Sequence, residues 1–138
     1  MRFISALLRR QVIHRAANRC EYCQLSQLGQ AATFHIDHVI PIAENGETTF
    51  ENLALACVAC SLYKSAKLTA KDPVSNKAVP IYNPRRERWQ DHFEWDDVRV
   101  IGLTTVGRAT IAALKMNRPA MLAIRAEEKL RQRHPLRI

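Results

Sequence analysis

The chain has four cysteines, and they fall into two C-x-x-C pairs, Cys20/Cys23 and Cys57/Cys60. No other feature restricts the fold as much. In a tetrahedral four-cysteine zinc site each C-x-x-C turn presents two thiolates to one ion, so the two pairs would meet and close the intervening chain into a loop. A mononuclear iron site uses similar spacing, and the cysteines alone leave both metals open. Disulfides need an oxidising compartment. A thioredoxin-like redox pair needs one C-x-x-C on a βαβ unit, which two pairs separated by polar loop sequence fit poorly. The apolar run Phe3 to Leu8 is too short for a signal peptide and is closed by Arg9-Arg10. The longest apolar stretch, Leu53 to Cys60, is far below the roughly 18 residues of a membrane span. We therefore expect a cytoplasmic protein with no membrane contact, in which Cys20, Cys23, Cys57 and Cys60 hold a structural Zn²⁺.

A chain of 138 residues suits one domain, or a small domain with an appended lobe, and a metal site helps where the core is thin. Ile4, Leu7, Leu8, Val12 and Ala16 recur at helical spacing with basic residues on the other faces, which predicts an amphipathic helix over about 4–18. Thr33 to Ile40 is rich in β-branched and aromatic residues and stops at Pro41, as a short strand does. A loop with an Asn45-Gly46 turn follows, then a strand over Leu53 to Ala56 and a helix over Val58 to Lys67 that begins inside the second cysteine pair. Leu68 to Pro84, with three prolines, reads as a connector. Beyond it, residues 92–95 and 98–101 read as a hairpin, Thr104 or Thr105 can cap a helix to about Met116, and Pro119 suits the first turn of another helix toward Arg133.

Charge adds a partner class. Twenty-one Lys and Arg against thirteen Asp and Glu leave +8, which suits a polyanion such as nucleic acid; a merely soluble basic protein has the same composition. Lys64, Arg85, Arg86 and Arg108 are the residues we expect at phosphates, each weighed against an ordinary solvated basic face. Trp89 and Trp95 could stack on bases, but aromatics interleaved with strand residues usually pack in a core. There is no G-x-x-x-x-G-K-[ST] loop and no dinucleotide fingerprint, so no nucleotide cofactor is expected.

Residues 15–67 contain R-A-A-N-R-C-E-Y-C, then H-I-D-H-V-I-P, then E-N-L-A-L-A-C-V-A-C and Lys64. In this order they resemble the HNH endonucleases, the ββα-metal nuclease fold, in the branch that carries a four-cysteine zinc site. The stretch from Asn83 through Gly102-Leu-Thr-Thr-Val-Gly-Arg-Ala-Thr to Asn117-Arg118-Pro119 is similar to a subset of small bacterial HNH proteins, with no chemistry attached to it. The resemblance implies an α+β fold: a small zinc-stabilised ββα core over about 15–67, an N-terminal helix over about 4–18 and a C-terminal hairpin-plus-helices lobe over about 85–134, together a single domain over 1–138.

The resemblance also implies DNA as substrate, metal-assisted hydrolysis, and products with 5′-phosphate and 3′-hydroxyl ends. Elementary chemistry gives the same roles to the same residues. A histidine side chain has an unperturbed pKa of about 6.5, which lets His38 take a proton from water near neutrality. Asp37 is a hard oxygen ligand suited to Mg²⁺ or Mn²⁺. A period-2 strand would send the two to opposite faces, so the backbone is expected to twist or leave the strand there. Asn52 matches the middle Asn of the family motif, whose amide braces the loop behind the catalytic His; the plain alternative is a turn residue. Ser61 stands where the family usually has Asn or His as second ligand of the catalytic metal, and a hydroxyl is the weaker ligand. His35, two residues before Asp37 and on its face in a regular strand, could compensate, or could be a packed strand residue. The departure at Ser61 motivates a rival reading, a catalytically weak or inactive zinc-stabilised DNA-binding module; a protein-interaction zinc domain is a third class. DNA preference, nicking or double-strand cutting, and monomer or homodimer are not legible in these residues.

Overall fold

The computed structural model describes residues 3–136. Helix α1 (Ala6–Arg15) starts at Ser5, whose hydroxyl accepts from Leu8 N at 3.1 Å, and thereby satisfies one amide of the first turn. It is shorter at both ends than its periodicity predicts. Ala17 and Asn18 take positive φ (52° and 59°), which no right-handed helix tolerates, and this reversal delivers the chain to the first cysteine pair. Arg15 ties the helix down by donating to the carbonyls of Phe50 and Leu53 while its guanidinium lies 3.8 Å from the Phe50 ring centroid.

Strands β1 (His35–His38) and β2 (Leu53–Ala56) pair antiparallel, with His35 opposite Ala56 and His38 opposite Leu53. All four residues of β2 are buried, as expected for a strand covered on both faces. Cys57 then caps helix α2 (Val58–Lys64), its sulfur accepting from Cys60 N at 3.4 Å. The helix ends at Lys64 because Ser65 adopts φ 49°. Strand, loop, strand, helix is the order expected from the sequence, and the α+β architecture holds.

The segment expected to be a connector contains a hairpin. Strands β3 (Thr69–Lys71) and β4 (Ala78–Pro80) pair with Thr69 opposite Pro80. Asp72 organises their turn, accepting from Val74 N, Ser75 N and the Ser75 hydroxyl. A one-turn helix α3 (Trp89–His92) precedes the expected hairpin of β5 (Phe93–Asp96) and β6 (Arg99–Gly102), so the first of these strands starts one residue later than predicted. Thr104 caps helix α4 (Thr105–Ala113), accepting from Gly107 N at 3.0 Å, and Pro119 opens helix α5 (Pro119–Leu130).

The motif from Gly102 onward is scaffold. Thr110 Oγ1 accepts from Tyr82 N at 2.9 Å. A Cβ at Gly107 would overlap the His92 carbonyl, so only glycine allows α4 to approach this closely. Arg108 forks onto both Asp72 oxygens at 3.0 Å, and Asn117 brackets the amide and carbonyl of Val100 at 2.9 and 2.8 Å. One hydrophobic cluster joins Val12, the four cysteines and β2 to Trp89, Phe93, Val100, Leu114 and Met121. Trp89 is packed in that core, as expected, with its indole N–H on the Tyr22 carbonyl at 2.9 Å.

Candidate active site and metal centre

The four cysteines converge. Their sulfurs lie within 4.8 Å of one another, all four are buried, and none is in a disulfide. A tetrahedron with Zn–S bonds of about 2.3 Å has its sulfurs roughly 3.8 Å apart; Cys23 and Cys57 stand at 3.7 Å. Hydrogen bonds from the neighbouring thiols hold the Cys57 thiol far below its ordinary range, whereas Cys23 and Cys60 are pushed up. Four buried thiols in one place can ionise together only around a cation, so the donor set fits a structural zinc ion. Formation of the cluster also removes the disulfide reading.

Beside it, β1 and the start of α2 form one wall of a cleft of about 610 Å³ bordered by His35, Asp37, His38, Ser61, Ile42 and Arg9. Strand β1 stays paired through His38 and ends there. The alternation expected of a strand is therefore kept, and both Asp37 and His38 still border the cleft because they stand at its last two positions. Asp37 points inward and is 9% exposed. Its Oδ2 accepts from the Tyr22 hydroxyl at 2.7 Å and lies 3.2 Å from Lys64 Nζ. Burial raises the Asp37 carboxyl above its ordinary range, and the Lys64 charge opposes that shift. His38 is fixed through Nε2, 2.9 Å from Thr48 Oγ1. His35 Nδ1 stands 2.9 Å from Ser61 Oγ, so β1 and α2 are joined at the floor of the cleft.

Asn52 lies behind the cleft. Its carboxamide accepts from Ile40 N at 2.9 Å and donates to Ile40 O at 3.0 Å and Glu47 O at 2.8 Å, closing the 40–52 loop on itself. Gly46 sits against the Ile40 carbonyl where a Cβ would overlap it, and Asn45 takes the left-handed φ of 67°, the turn expected from this dipeptide.

The basic residues separate. Arg86 is exposed. Lys64 is 1% exposed, with its ammonium on Asp37 and, at 3.0 Å, on the His38 carbonyl; a charge taken out of water needs such a partner. Arg85 pairs with the half-buried Glu21, which also accepts from Leu55 N, and Arg108 pairs with Asp72. These three are paired within the fold, Arg108 with its side chain still partly exposed, and nothing in the linear sequence indicates which carboxylate would reach them. Sequence reasoning also missed Tyr22, Thr48 and Arg9. Tyr22 sits inside the first C-x-x-C pair, and that position was the available signal.

No curated protein and no solved structure matches the chain. Among the described residues no helix is long and apolar enough to cross a membrane. The family model for HNH endonucleases matches residues 20–67, a span that begins at the first cysteine of the cluster and takes in both strands and the helix that frame the cleft, so this segment of the chain is similar to HNH endonuclease domains.

Proposed function

We propose that the protein is a divalent-metal-dependent endonuclease that hydrolyses DNA phosphodiester bonds, with His38 as general base and Asp37 as ligand of Mg²⁺ or Mn²⁺. The observation that carries this reading is the meeting of Asp37 and His38 at one cleft inside the segment that matches the HNH endonucleases. A bound divalent cation would offset charge on the phosphorane and on the departing 3′ oxygen. The protein's own groups do the rest. His38 takes a proton from the attacking water, its ring held by the Thr48 hydroxyl; Asn52 keeps the loop carrying Thr48 closed; and Lys64 keeps Asp37 oriented rather than meeting DNA itself. Arg86, exposed, and Arg9, on the rim of the cleft, are the phosphate contacts this arrangement favours. Products carry 5′-phosphate and 3′-hydroxyl ends, and the cysteine cluster suits a cytoplasm that keeps thiols reduced.

One observation favours the rival, a DNA-binding module with weak or no cleavage: Ser61 supplies only a hydroxyl, and that hydroxyl is engaged by His35. Plasmid nicking over a Mg²⁺ and Mn²⁺ series separates the two. His38→Ala is expected to lower cleavage by about 10²–10⁴-fold and Asp37→Ala to act similarly, both with zinc content and DNA binding retained. Ser61→Asn should keep or raise activity, most visibly at limiting Mg²⁺. Cleavage that survives His38→Ala would refute the base assignment. An inert wild type that gains activity as Ser61→Asn would favour the binding module.

A further inference from the structure

Each cysteine pair sends one buried donor to the same carboxylate. Tyr22 lies between Cys20 and Cys23, is 0% exposed, and places its hydroxyl 2.7 Å from Asp37 Oδ2. A carboxylate offers only lone pairs, so the phenol is the donor. Lys64 closes α2, the helix that Cys57 caps and Cys60 anchors, and its ammonium lies 3.2 Å from Oδ2 and 3.4 Å from Oδ1. Each carboxylate oxygen thus accepts one of the two donors, Oδ2 the tyrosine hydroxyl and Oδ1 the lysine ammonium. Neither donor has another role in the cleft: neither residue is exposed, and the other Lys64 bond goes to the His38 carbonyl.

We infer that Tyr22 is a positioning residue for Asp37, and that through it the cysteine cluster sets the orientation of the carboxylate that receives the divalent cation. The inference rests on the reading of Asp37 as that ligand. Partners that orient a metal-binding side chain typically matter by about 10–100-fold in metal affinity. A tyrosine that is fully buried between two cluster ligands is a stiff support, because its ring cannot swing away from Asp37 without displacing the core packed around it.

The probe is Mn²⁺, counted as free ion by electron paramagnetic resonance during titration of the zinc-loaded full chain. Wild-type protein should bind one Mn²⁺ that Asp37→Ala loses. Tyr22→Phe keeps the ring and removes only the hydroxyl; it should retain one zinc per chain and bind Mn²⁺ about 10–100-fold more weakly, while Tyr63→Phe, on α2 but away from Asp37, should match wild type. Equal Mn²⁺ affinity in wild type and Tyr22→Phe overturns the inference and leaves the Asp37 reading standing. Absence of Mn²⁺ binding that depends on Asp37 overturns both. If Tyr22→Phe fails to retain zinc, the wild-type chain carrying 3-fluorotyrosine decides the matter. Its Tyr22 resonance, identified by elimination with Tyr63→Phe and Tyr82→Phe, should move as Mg²⁺ saturates the protein, and a stationary resonance overturns the inference.

Discussion

At the scale of single residues the site is built from side chains that each satisfy several groups. Asn52 is the plainest case, with one carboxamide serving an amide and two carbonyls of the loop it closes. Asn52→Asp keeps the acceptor but turns the donating edge toward two carbonyl oxygens with nothing to give them. The expected cost is about 1 kcal/mol, the net worth of a typical hydrogen bond, because the site is only partly buried. Cleavage should fall with it, because the loop carrying Thr48 loosens, while zinc stays stoichiometric. Chemical denaturation and elemental analysis of the variant check both halves, and an unchanged midpoint would remove the brace. The neighbourhood of Asp37 follows the same logic: a carboxylate raised by burial is kept in place by a tyrosine and a lysine that are themselves hidden from water.

At the scale of elements, an ion pair joins the turn of the β3–β4 hairpin to α4, on which both strands also pack. Asp72 is buried in the turn, and the Arg108 guanidinium beside it holds its carboxyl well below the usual carboxylate range. A carboxylate whose folded pKa is depressed stabilises the fold fully above its unfolded pKa of about 3.9 and loses that contribution as pH falls toward the folded value. Wild-type stability relative to Asp72→Asn should therefore be constant from about pH 7 to about pH 5 and shrink below about pH 4. Thermal midpoints of both proteins across that range give the comparison, in which loss of zinc in acid cancels to first order. A difference that stays flat down to pH 2 would contradict the assignment. The hairpin escaped the sequence reading because three-residue strands leave too little alternation to detect, and because Pro73 and Pro80 resemble linker punctuation.

At the scale of the whole molecule, the cysteine cluster and the C-terminal lobe share one hydrophobic core. We read the chain as one cooperative unit on that ground. Cys57→Ala, which removes a ligand and the cap of α2, is expected to abolish zinc binding and to unfold the β5–β6 hairpin and α4 along with the HNH segment. Zinc analysis paired with the fluorescence of Trp89 and Trp95 tests this, since both tryptophans belong to the lobe and Trp89 bonds to the Tyr22 carbonyl. A lobe that keeps its native emission without zinc would show two independent units. The +8 charge also acts at this scale. Binding to mixed-sequence duplex DNA should weaken steeply as salt rises, by counterion release, and Arg86→Ala should reduce that dependence whereas Arg108→Ala should act mainly through stability.

Those parts of this protein that are local or strongly patterned can be read along the chain. The C-x-x-C spacing, the Asp37-His38 pair ahead of Asn52, the Asn45-Gly46 turn, the Thr104 cap and the Pro119 start are set by near neighbours along the chain, and each was legible there. Tertiary structure alone decided where charges go. Lys64, Arg85 and Arg108 are indistinguishable in sequence from solvated basic residues, because the carboxylates that claim them lie 27, 64 and 36 positions away. The same holds for Tyr22: its helix-and-turn surroundings are visible in the sequence, but its hydrogen bond to Asp37 exists only once the two cysteine pairs have met. Local propensity acts over a turn or a strand, whereas the pairing of buried charges is fixed by which surfaces the core brings together, and that information is not written at any one position.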